Sequence, residues 1–341
     1  MSTPSNKLLL NPGPTNTRLE TKQAQMDGSD VCHRTEDFYK VLNSTKTLLL
    51  QRLTKDTNIT FDNETWHVAL IGGSGTTAME AMMSSLGNAS SATKVIKAGK
   101  YGERISDMLN IYNVEHDVIS ANSVEELQKD ESNMDLFFVE NETTNGEKYS
   151  LEYITSIYPN AKLFVDTTSA FGSSDYSNHL DQIQAMSFCS NKCLQSTPGL
   201  GIVIWRKSLP VFEKNHYCYL NRYTKTIPPF TVPVQVISAL EATLRVSDDN
   251  TDLFDERRDN LISSFQEIGI NCIDKKPCNS IIGFTHPKLS YDELNTFLSE
   301  RDIVIYEGIT GYKNSFRVAT MSVEFDNKFD YIQDVFKEST L

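Results

Sequence analysis

A lysine in an unusual position raises the first chemical question about this sequence. Lys192 lies in SFCSNKCLQSTPGLGIVIW, residues 187–205, among small neutral residues between two apolar runs. Burial makes a charged ammonium costly, so the pKa of a buried lysine falls, and its neutral amine is a nucleophile that can bond to an aldehyde. The segment therefore predicts carbonyl chemistry, although a surface lysine in a loop would also fit the pattern.

A second stretch has the features of an anion site. ALIGGSGTTAMEAMMSSLG, residues 69–87, predicts a strand, a Gly/Ser/Thr turn and a helix that begins near Thr77. Backbone N–H groups and hydroxyls at the positive end of a helix suit a phosphate. The turn matches neither of two common nucleotide-binding motifs, the P-loop and the G-x-G-x-x-G loop. A tight connection between strand and helix, with no ligand, is the alternative.

An acidic residue completes the group. Asp166 ends the apolar strand in KLFVDTTSAFGS, residues 162–173, and Lys192 follows the next predicted strand. Open α/β sheets bind ligands at the carboxyl ends of their strands, so both side chains could face one crevice. A capping or turn aspartate would explain Asp166 equally well. An aldehyde would bond to Lys192, a phosphate would bind at the Gly/Ser/Thr turn, and a protonated ring nitrogen would pair with Asp166. Pyridoxal 5′-phosphate carries all three groups.

The elements that must position these residues follow an alternating pattern. Continuously apolar strands separated by amphipathic helices predict a mostly parallel sheet covered on both faces, within an α/β domain. The strand candidates are WHVALIGG, TKVIKAGK, HDVIS, DLFFVEN, AKLFVDTT, AMSFCSN and GIVIWR, and two of the helical stretches between them are AMEAMMSSLG and YGERISDMLNIY.

A change of pattern near residue 235 predicts a second unit. After the Pro-rich TKTIPPFTVPVQ, one long helical segment runs over residues 234–269, followed by shorter strand and helix pieces. This predicts a large domain at residues 16–235, and a small α+β domain formed by residues 236–341 together with an N-terminal arm, residues 1–15.

Composition narrows the function classes. The 341 residues carry a formal net charge of -13, which argues against nucleic acid and anionic membranes as partners. No run approaches the roughly 18 apolar residues of a membrane span, so we expect a cytoplasmic protein. The six cysteines show no C-x-x-C spacing, and no metal site is predicted. His33 and Arg34 in CHRTEDF are given no role. His33 fits a structural histidine, and Arg34 fits a surface charge on a helix as well as it fits a second anion site.

The order of motifs resembles that of the class V, fold-type I pyridoxal-phosphate aminotransferases, and most closely the 2-aminoethylphosphonate:pyruvate transaminases. Eight motifs in the same order carry the resemblance: LLLNPGPTNT, GGSGTTAMEAM, KAGKYGERISDM, ENETTNGE, VDTTSAFGS, SNKCLQSTPGLGIVI, TIPPFTVPV and IVIYEGITGYKNSFRVATM. The resemblance implies a large domain with a mostly parallel seven-stranded sheet, a smaller C-terminal α+β domain, and a homodimer whose subunits share active sites.

It also implies roles for individual residues. Lys192 would bond to the cofactor and move a proton during the reaction, and Asp166 would keep the pyridine nitrogen protonated. The other expected cofactor contacts are Ser74, Gly75 and Thr76 at the phosphate, Tyr101 stacked on the ring, Thr143 beside it, Asn191, and Thr231 from the neighbouring subunit. Arg317 would bind the substrate carboxylate, and Asn11 would offer its backbone to the substrate.

The resulting hypothesis is ping-pong transamination, in which 2-aminoethylphosphonate and pyruvate give phosphonoacetaldehyde and alanine. The segment CHRTEDFYKVL and the residues Thr167 and Thr168 differ from the expected phosphonate pattern. An alanine- or serine:glyoxylate aminotransferase is therefore the alternative. Three further classes are disfavoured: a cysteine desulfurase, which needs a nucleophilic cysteine in a mobile loop; a non-catalytic relative, which would not need Lys192; and a nucleotide-binding protein.

Overall fold

The computed structural model describes residues 7–28, 30–87, 92–225, 227–309 and 312–341. Residues 1–6 of the predicted N-terminal arm lie outside them. The described part of the chain forms these helices: α1 (Leu19–Asp27), α2 (Glu36–Thr54), α3 (Gly75–Leu86), α4 (Lys100–Ile111), α5 (Leu151–Ile157), α6 (Val234–Val246), α7 (Asp252–Glu267), α8 (Tyr291–Ser299) and α9 (Phe329–Ser339). None of them is long and apolar enough to cross a membrane.

The strands belong to one large sheet and several smaller ones. They are β1 (Leu8–Leu9), β2 (Trp66–Gly72), β3 (Thr93–Lys97), β4 (Asp117–Ser120), β5 (Asp135–Val139), β6 (Asn141–Glu142), β7 (Glu147–Lys148), β8 (Lys162–Asp166), β9 (Ile183–Cys189), β10 (Leu200–Arg206), β11 (Asn271–Cys272), β12 (Ile281–Thr285), β13 (Ile303–Val304), β14 (Tyr306–Glu307) and β15 (Ser315–Ala319).

The large sheet confirms the predicted architecture. Its strand order is β2-β10-β9-β8-β5-β3-β4, and each of the seven predicted apolar runs contributes one strand. Only β10 runs antiparallel to its neighbours β2 and β9, so the sheet is mostly parallel. Strands β8 and β9 are parallel and place Asp166 opposite Ser187. The loop that carries Lys192 therefore leaves the sheet next to the end of β8.

Helices cover both faces of this sheet, which explains why its central strands β5, β8, β9 and β10 are buried along almost their whole length, whereas the edge strand β4 is largely exposed. On one face, Leu70 of β2 packs in a core cluster with residues of α2 and α6. On the other face, the adjacent residues Ala69 and Ile71 pack in a second cluster with α3 and α4. The alternation along β2 is the period of two expected for side chains of a strand.

A smaller sheet of order β11-β12-β15-β14 forms the second unit. It packs with α7, α8 and α9 around a core that includes Phe265, Phe284 and Phe316. The N-terminal segment joins this core: β1 pairs in parallel with β13, and Leu8 and Leu10 belong to the same cluster.

The structure corrects the predicted long helix at residues 234–269, which is two helices. Helix α6 ends at Val246, and Ser247 takes an extended backbone. Arg52 donates hydrogen bonds to the Ser247 carbonyl and hydroxyl oxygens, each at 2.7 Å. Short polar residues offer the backbone such local alternatives to a helix, and the sequence SDDN at residues 247–250 is rich in them.

The division of the chain at residue 235 stays a prediction. In the hydrophobic cores, Ile237, Leu240 and Leu244 of α6 pack in the cluster of the large sheet. Among the described residues, the core cluster of the small sheet contains none from α6. Beyond α6, its first member along the chain is Leu261 of α7. We propose on this basis that the boundary lies between α6 and α7.

Candidate active site

A cavity of about 200 Å³ adjoins the carboxyl ends of β8 and β9. It collects side chains from turns that are far apart in the sequence. Eight of the predicted cofactor residues line it, namely Ser74, Gly75, Thr76, Tyr101, Thr143, Asp166, Asn191 and Lys192. We call this the cofactor cavity.

Asp166 is a buried carboxylate whose hydrogen bonds are all on one oxygen. Thr168 donates to Oδ1 from its hydroxyl at 2.6 Å and from its backbone N–H at 3.2 Å, and Ser187 donates to the same atom at 3.1 Å. None of the described hydrogen bonds reaches Oδ2. Burial raises the pKa of Asp166 to about 6, although these hydrogen bonds oppose the shift. A cationic ligand atom would find an acceptor at Oδ2.

Lys192 lies in the turn between β9 and β10, and its ammonium reaches the N-terminal segment. Nζ donates to the carbonyl oxygen of Pro12. Burial lowers the pKa of Lys192, and the nearby positive charge of Arg317 lowers it further. The amine is therefore easier to deprotonate than that of a surface lysine, as its predicted chemistry requires.

Gly13 makes the approach of these two segments possible. Its φ is +126°, a value that side-chain-bearing residues rarely adopt. A Cβ at this position would lie 3.0 Å from Cδ and 3.1 Å from Nζ of Lys192. The glycine in LLLNPGP thus leaves the space that the lysine side chain occupies.

The turn before α3 presents polar groups at the start of a helix. Ser74 precedes the helix in an extended conformation, and its N–H donates to Thr77 Oγ1 at 3.1 Å. Arg104 donates to Thr76 Oγ1 at 3.1 Å, so a cation stands beside the turn. Hydroxyls, helix N–H groups and a guanidinium together suit a phosphate. Arg104, which also lines the cofactor cavity, was not predicted as a site residue.

The backbone of Tyr101 is held by a buried carboxylate that was not predicted as a site residue. Glu142 is fully buried, and its Oε2 accepts hydrogen bonds from the backbone N–H groups of Tyr101 at 3.1 Å and Gly102 at 3.0 Å. This carboxylate caps the first turn of α4. Burial raises the pKa of Glu142. The motif ENETT pointed to Thr143, but the pairing with a helix distant in sequence is visible only in the fold.

Asn141 also lines the cofactor cavity and was not predicted. Its amide donates to the Ser169 carbonyl at 2.8 Å and to Ser280 Oγ at 3.1 Å. Its Oδ1 is buried and has no hydrogen-bond partner among the described residues. A buried acceptor without a partner is costly, so this atom is a candidate contact for a bound ligand.

A larger cavity of about 680 Å³ adjoins the cofactor cavity and shares Tyr101, Thr143 and Lys192 with it. We call it the substrate cavity. The small domain contributes most of its other lining, including Tyr291, Tyr306, Glu307, Tyr312 and Arg317. The three tyrosines were not predicted, because they come from separate loops and strands of that domain.

Arg317 is held by backbone carbonyls rather than by an acidic side chain. Its Nε donates to the carbonyl of Glu307 at 2.7 Å and its Nη1 to the carbonyl of Thr143 at 2.9 Å. The guanidinium carbon also lies 5.0 Å from the centre of the Tyr306 ring. No carboxylate is paired with this arginine among the described salt bridges, so its charge is available to an anionic ligand.

The remaining predicted residues lie elsewhere. Thr231 is exposed, and neither Thr231 nor Asn11 lines either cavity, although Pro12 and Gly13 line the substrate cavity. The Asn11 Oδ1 is buried without a partner in the described part of the chain. His33 and Arg34 also line neither cavity. The described residues contain no group of three histidine, cysteine or acidic side chains that could hold a metal ion.

Comparisons with known proteins agree with this arrangement. No protein-family model matches the chain. A 2-aminoethylphosphonate–pyruvate transaminase from Bacteroides fragilis is 26% identical over 97% of this chain and 98% of its own length. A protein of the same name from Bacillus cereus is 27% identical over 92% of each chain.

Solved structures match over nearly the whole length. The aspartate aminotransferase of Thermus thermophilus has a TM-score of 0.83 at 20% identity, covering 97% of this chain and 98% of that one. The alanine–glyoxylate aminotransferase of Nostoc sp. has a TM-score of 0.80 at 20% identity, covering 99% and 96%. A pyridoxal-phosphate-bound phosphoserine aminotransferase from Trichomonas vaginalis has a TM-score of 0.77 at 15% identity, covering 97% and 100%. The comparisons confirm the predicted fold, fold-type I of the pyridoxal-phosphate aminotransferases, and the predicted resemblance to the 2-aminoethylphosphonate:pyruvate transaminases.

Proposed function

We propose that this chain is a pyridoxal-phosphate-dependent transaminase that exchanges an amino group between 2-aminoethylphosphonate and pyruvate. One observation carries the proposal. Lys192 lines both cavities, with Asp166 in the cofactor cavity and Arg317 in the substrate cavity. An amine therefore stands between a site for a cationic ring and a site for an anionic substrate. The bacterial relatives carry this activity in their names.

The residues of the cofactor cavity fit pyridoxal phosphate. Oδ2 of Asp166 can accept a hydrogen bond from the protonated ring nitrogen, and the start of α3 with Ser74, Gly75 and Thr76 can bind the phosphate. Tyr101 lines the same cavity and can stack on the ring. The bound cofactor would supply the aldehyde that carries the amino group and a ring that withdraws electrons from the substrate carbon.

Lys192 would bond to the cofactor in the resting enzyme and act as acid and base once it is free. Its lowered pKa favours the neutral amine, which can take the proton from the substrate carbon that bears the amino group. Pro12 can stabilise the protonated form, because its carbonyl oxygen accepts from Nζ.

Arg317 would bind the acidic group of both substrates. In a ping-pong reaction the amino donor leaves as a carbonyl product before the acceptor binds, so one anion site serves both. The guanidinium can bind a carboxylate through two parallel hydrogen bonds, and each hydrogen bond to a charged group contributes about 1.5–3 kcal/mol. Tyr306 and the Glu307 carbonyl keep its plane in a fixed orientation.

We also propose a homodimer in which Thr231 of one subunit completes the phosphate site of the other. Thr231 is exposed in the single chain, and so are Ser74 and Thr76, which leaves room for a second copy. We further propose that the protein acts in the cytoplasm. A sedimentation measurement of the protein loaded with cofactor tests the dimer. The T231A variant should bind pyridoxal phosphate more weakly, because a contact to its phosphate group is lost, while the sedimentation coefficient should stay the same.

The visible absorbance of the loaded protein tests the activity. Addition of 2-aminoethylphosphonate should remove the band of the cofactor aldehyde, and pyruvate should restore it. Alanine and serine as donors, with glyoxylate as acceptor, form the comparison. If 2-aminoethylphosphonate leaves the band unchanged, while serine removes it and glyoxylate restores it, the alternative aminotransferase activity replaces this proposal.

A further inference from the structure

The charged lining of the substrate cavity contains one cation without an assigned role. Within the described part of the chain, the charged side chains that line this cavity are Lys100, Lys192, Glu307 and Arg317. Lys192 would be occupied by the cofactor in the loaded enzyme, and Arg317 by the acidic group of the substrate. Lys100, the first residue of α4, is left.

The backbone at Lys100 is well fixed. Its N–H donates to Thr144 Oγ1 at 3.0 Å, and the next two N–H groups of the helix donate to Glu142. A Cβ on the preceding Gly99 would lie 2.5 Å from Thr144 Oγ1 and 2.7 Å from the Glu142 side chain, so the chain passes close to both. The lysine side chain therefore leaves the helix from a defined position at the wall of the cavity.

The ammonium group is available to a ligand. Among the described residues, Lys100 Nζ makes no ion pair and no hydrogen bond, and the side chain is exposed. The neighbouring Lys97 differs, because it pairs with Glu103 at 3.1 Å. Glu307 is the only acidic side chain among the described residues that line the substrate cavity. The ammonium thus adds positive charge to a cavity with little negative charge to neutralise it.

A phosphonate group needs more donors than Arg317 can provide in one plane. Two of the five guanidinium N–H groups already bind the carbonyls of Glu307 and Thr143. The remaining ones can bind two oxygens, which satisfies a carboxylate. A phosphonate has a third oxygen outside that plane and, like a phosphate, carries a charge of about −1.5 to −2 near neutral pH. A flexible point charge such as a lysine ammonium suits this third oxygen.

We infer that Lys100 is a specificity-determining residue that binds the third phosphonate oxygen and so favours phosphonate over carboxylate donors. This inference rests on the proposed function, because it assigns the acidic group of the donor to the same cavity. It concerns a residue at the start of α4 that lines the same cavity as Arg317 of β15.

The first test measures two half-reactions separately, each in single turnover: the reaction of the loaded enzyme with 2-aminoethylphosphonate and its reaction with L-alanine. K100Q should lower kcat/KM for 2-aminoethylphosphonate about tenfold, the lower end for loss of a hydrogen bond to a charged group. For L-alanine it should change kcat/KM by less than about threefold, as expected for an exposed charge without direct contact. K313Q is the matched control: Lys313 is an exposed lysine outside the cavity lining, and its loss should affect neither half-reaction.

A binding measurement separates this inference from the activity. Titration calorimetry of the loaded protein with methylphosphonate and with acetate should show, for K100Q, about a tenfold weaker phosphonate affinity and nearly unchanged acetate affinity. Lack of turnover of 2-aminoethylphosphonate by the wild type would overturn the proposed function, while this selectivity would still support the role of Lys100. Equal effects of K100Q on phosphonate and carboxylate, or none on either, would overturn the inference even with the activity intact.

Discussion

Replacement of Asp166 by asparagine should stabilise the cofactor-free protein while it damages the enzyme. Asp166 is fully buried and its pKa is raised to about 6 from the ordinary value of 3.8. At neutral pH the folded cofactor-free protein must therefore keep a carboxylate ionised where burial disfavours it. Asparagine retains an acceptor for Thr168 and Ser187 but carries no charge.

The shift sets the magnitude and the sign. A difference of about 2 pKa units corresponds to about 3 kcal/mol. Because the folded pKa lies above the unfolded one, the folded protein keeps the proton after the unfolded chain has lost it, and stability falls as the pH rises from about 4 to about 6. D166N should then match the wild type near pH 4 and exceed it by about 3 kcal/mol at pH 7.5.

Urea unfolding of the cofactor-free proteins, followed by tryptophan fluorescence, provides the assay. The two tryptophans, Trp66 and Trp205, lie in β2 and β10, so the signal reports the large sheet. D107N, at an exposed position of α4, is the control and should change stability by less than about 0.5 kcal/mol. Equal or lower stability of D166N at pH 7.5 would refute the assigned burial cost. In the loaded enzyme the same variant should transaminate much more slowly.

Three other substitutions test the site from different sides. G13A should reduce the fraction of cofactor bound covalently, measured by absorbance, since its Cβ would lie 3.0 Å from the Lys192 side chain; a wild-type spectrum would contradict this. E142A should cost about 1–2 kcal/mol in urea unfolding through loss of the α4 cap and should weaken cofactor affinity, whereas E142Q, which keeps an acceptor, should recover much of both; equal losses would contradict the capping role. R317K should lower kcat/KM for phosphonate and alanine alike, about tenfold or more, because it keeps the charge but loses the planar fork; selective loss for one donor would contradict a shared anion site.

The large sheet was predictable because its central strands, β5, β8, β9 and β10, are buried on both faces. Such strands are continuously apolar, and all seven predicted runs became strands of one sheet. The antiparallel direction of β10 was not predictable from composition, since a buried strand is apolar in either direction. The break after α6 could have been inferred from SDDN, where four short polar residues interrupt the helical pattern.

The site was predictable where its residues belong to recognisable local motifs. Asp166 ends a strand of the large sheet, and Lys192 and the turn before α3 each follow one, so the sheet itself brings them together. Glu142, Arg104 and the tyrosines of the substrate cavity escaped prediction for a different reason. Their roles depend on contacts between segments far apart in the chain, such as Arg104 with Thr76 at 3.1 Å.

The covalent state of Lys192 decides whether this lysine is the residue that bonds to pyridoxal phosphate. Borohydride reduction of the protein purified with its cofactor, followed by proteolysis and mass spectrometry, locates any stable bond between the cofactor and a side chain. We expect a single modified peptide, with the reduced pyridoxyl phosphate group on Nζ of Lys192. An unmodified Lys192 in a sample that retains its cofactor, or a modification at another lysine, would contradict it.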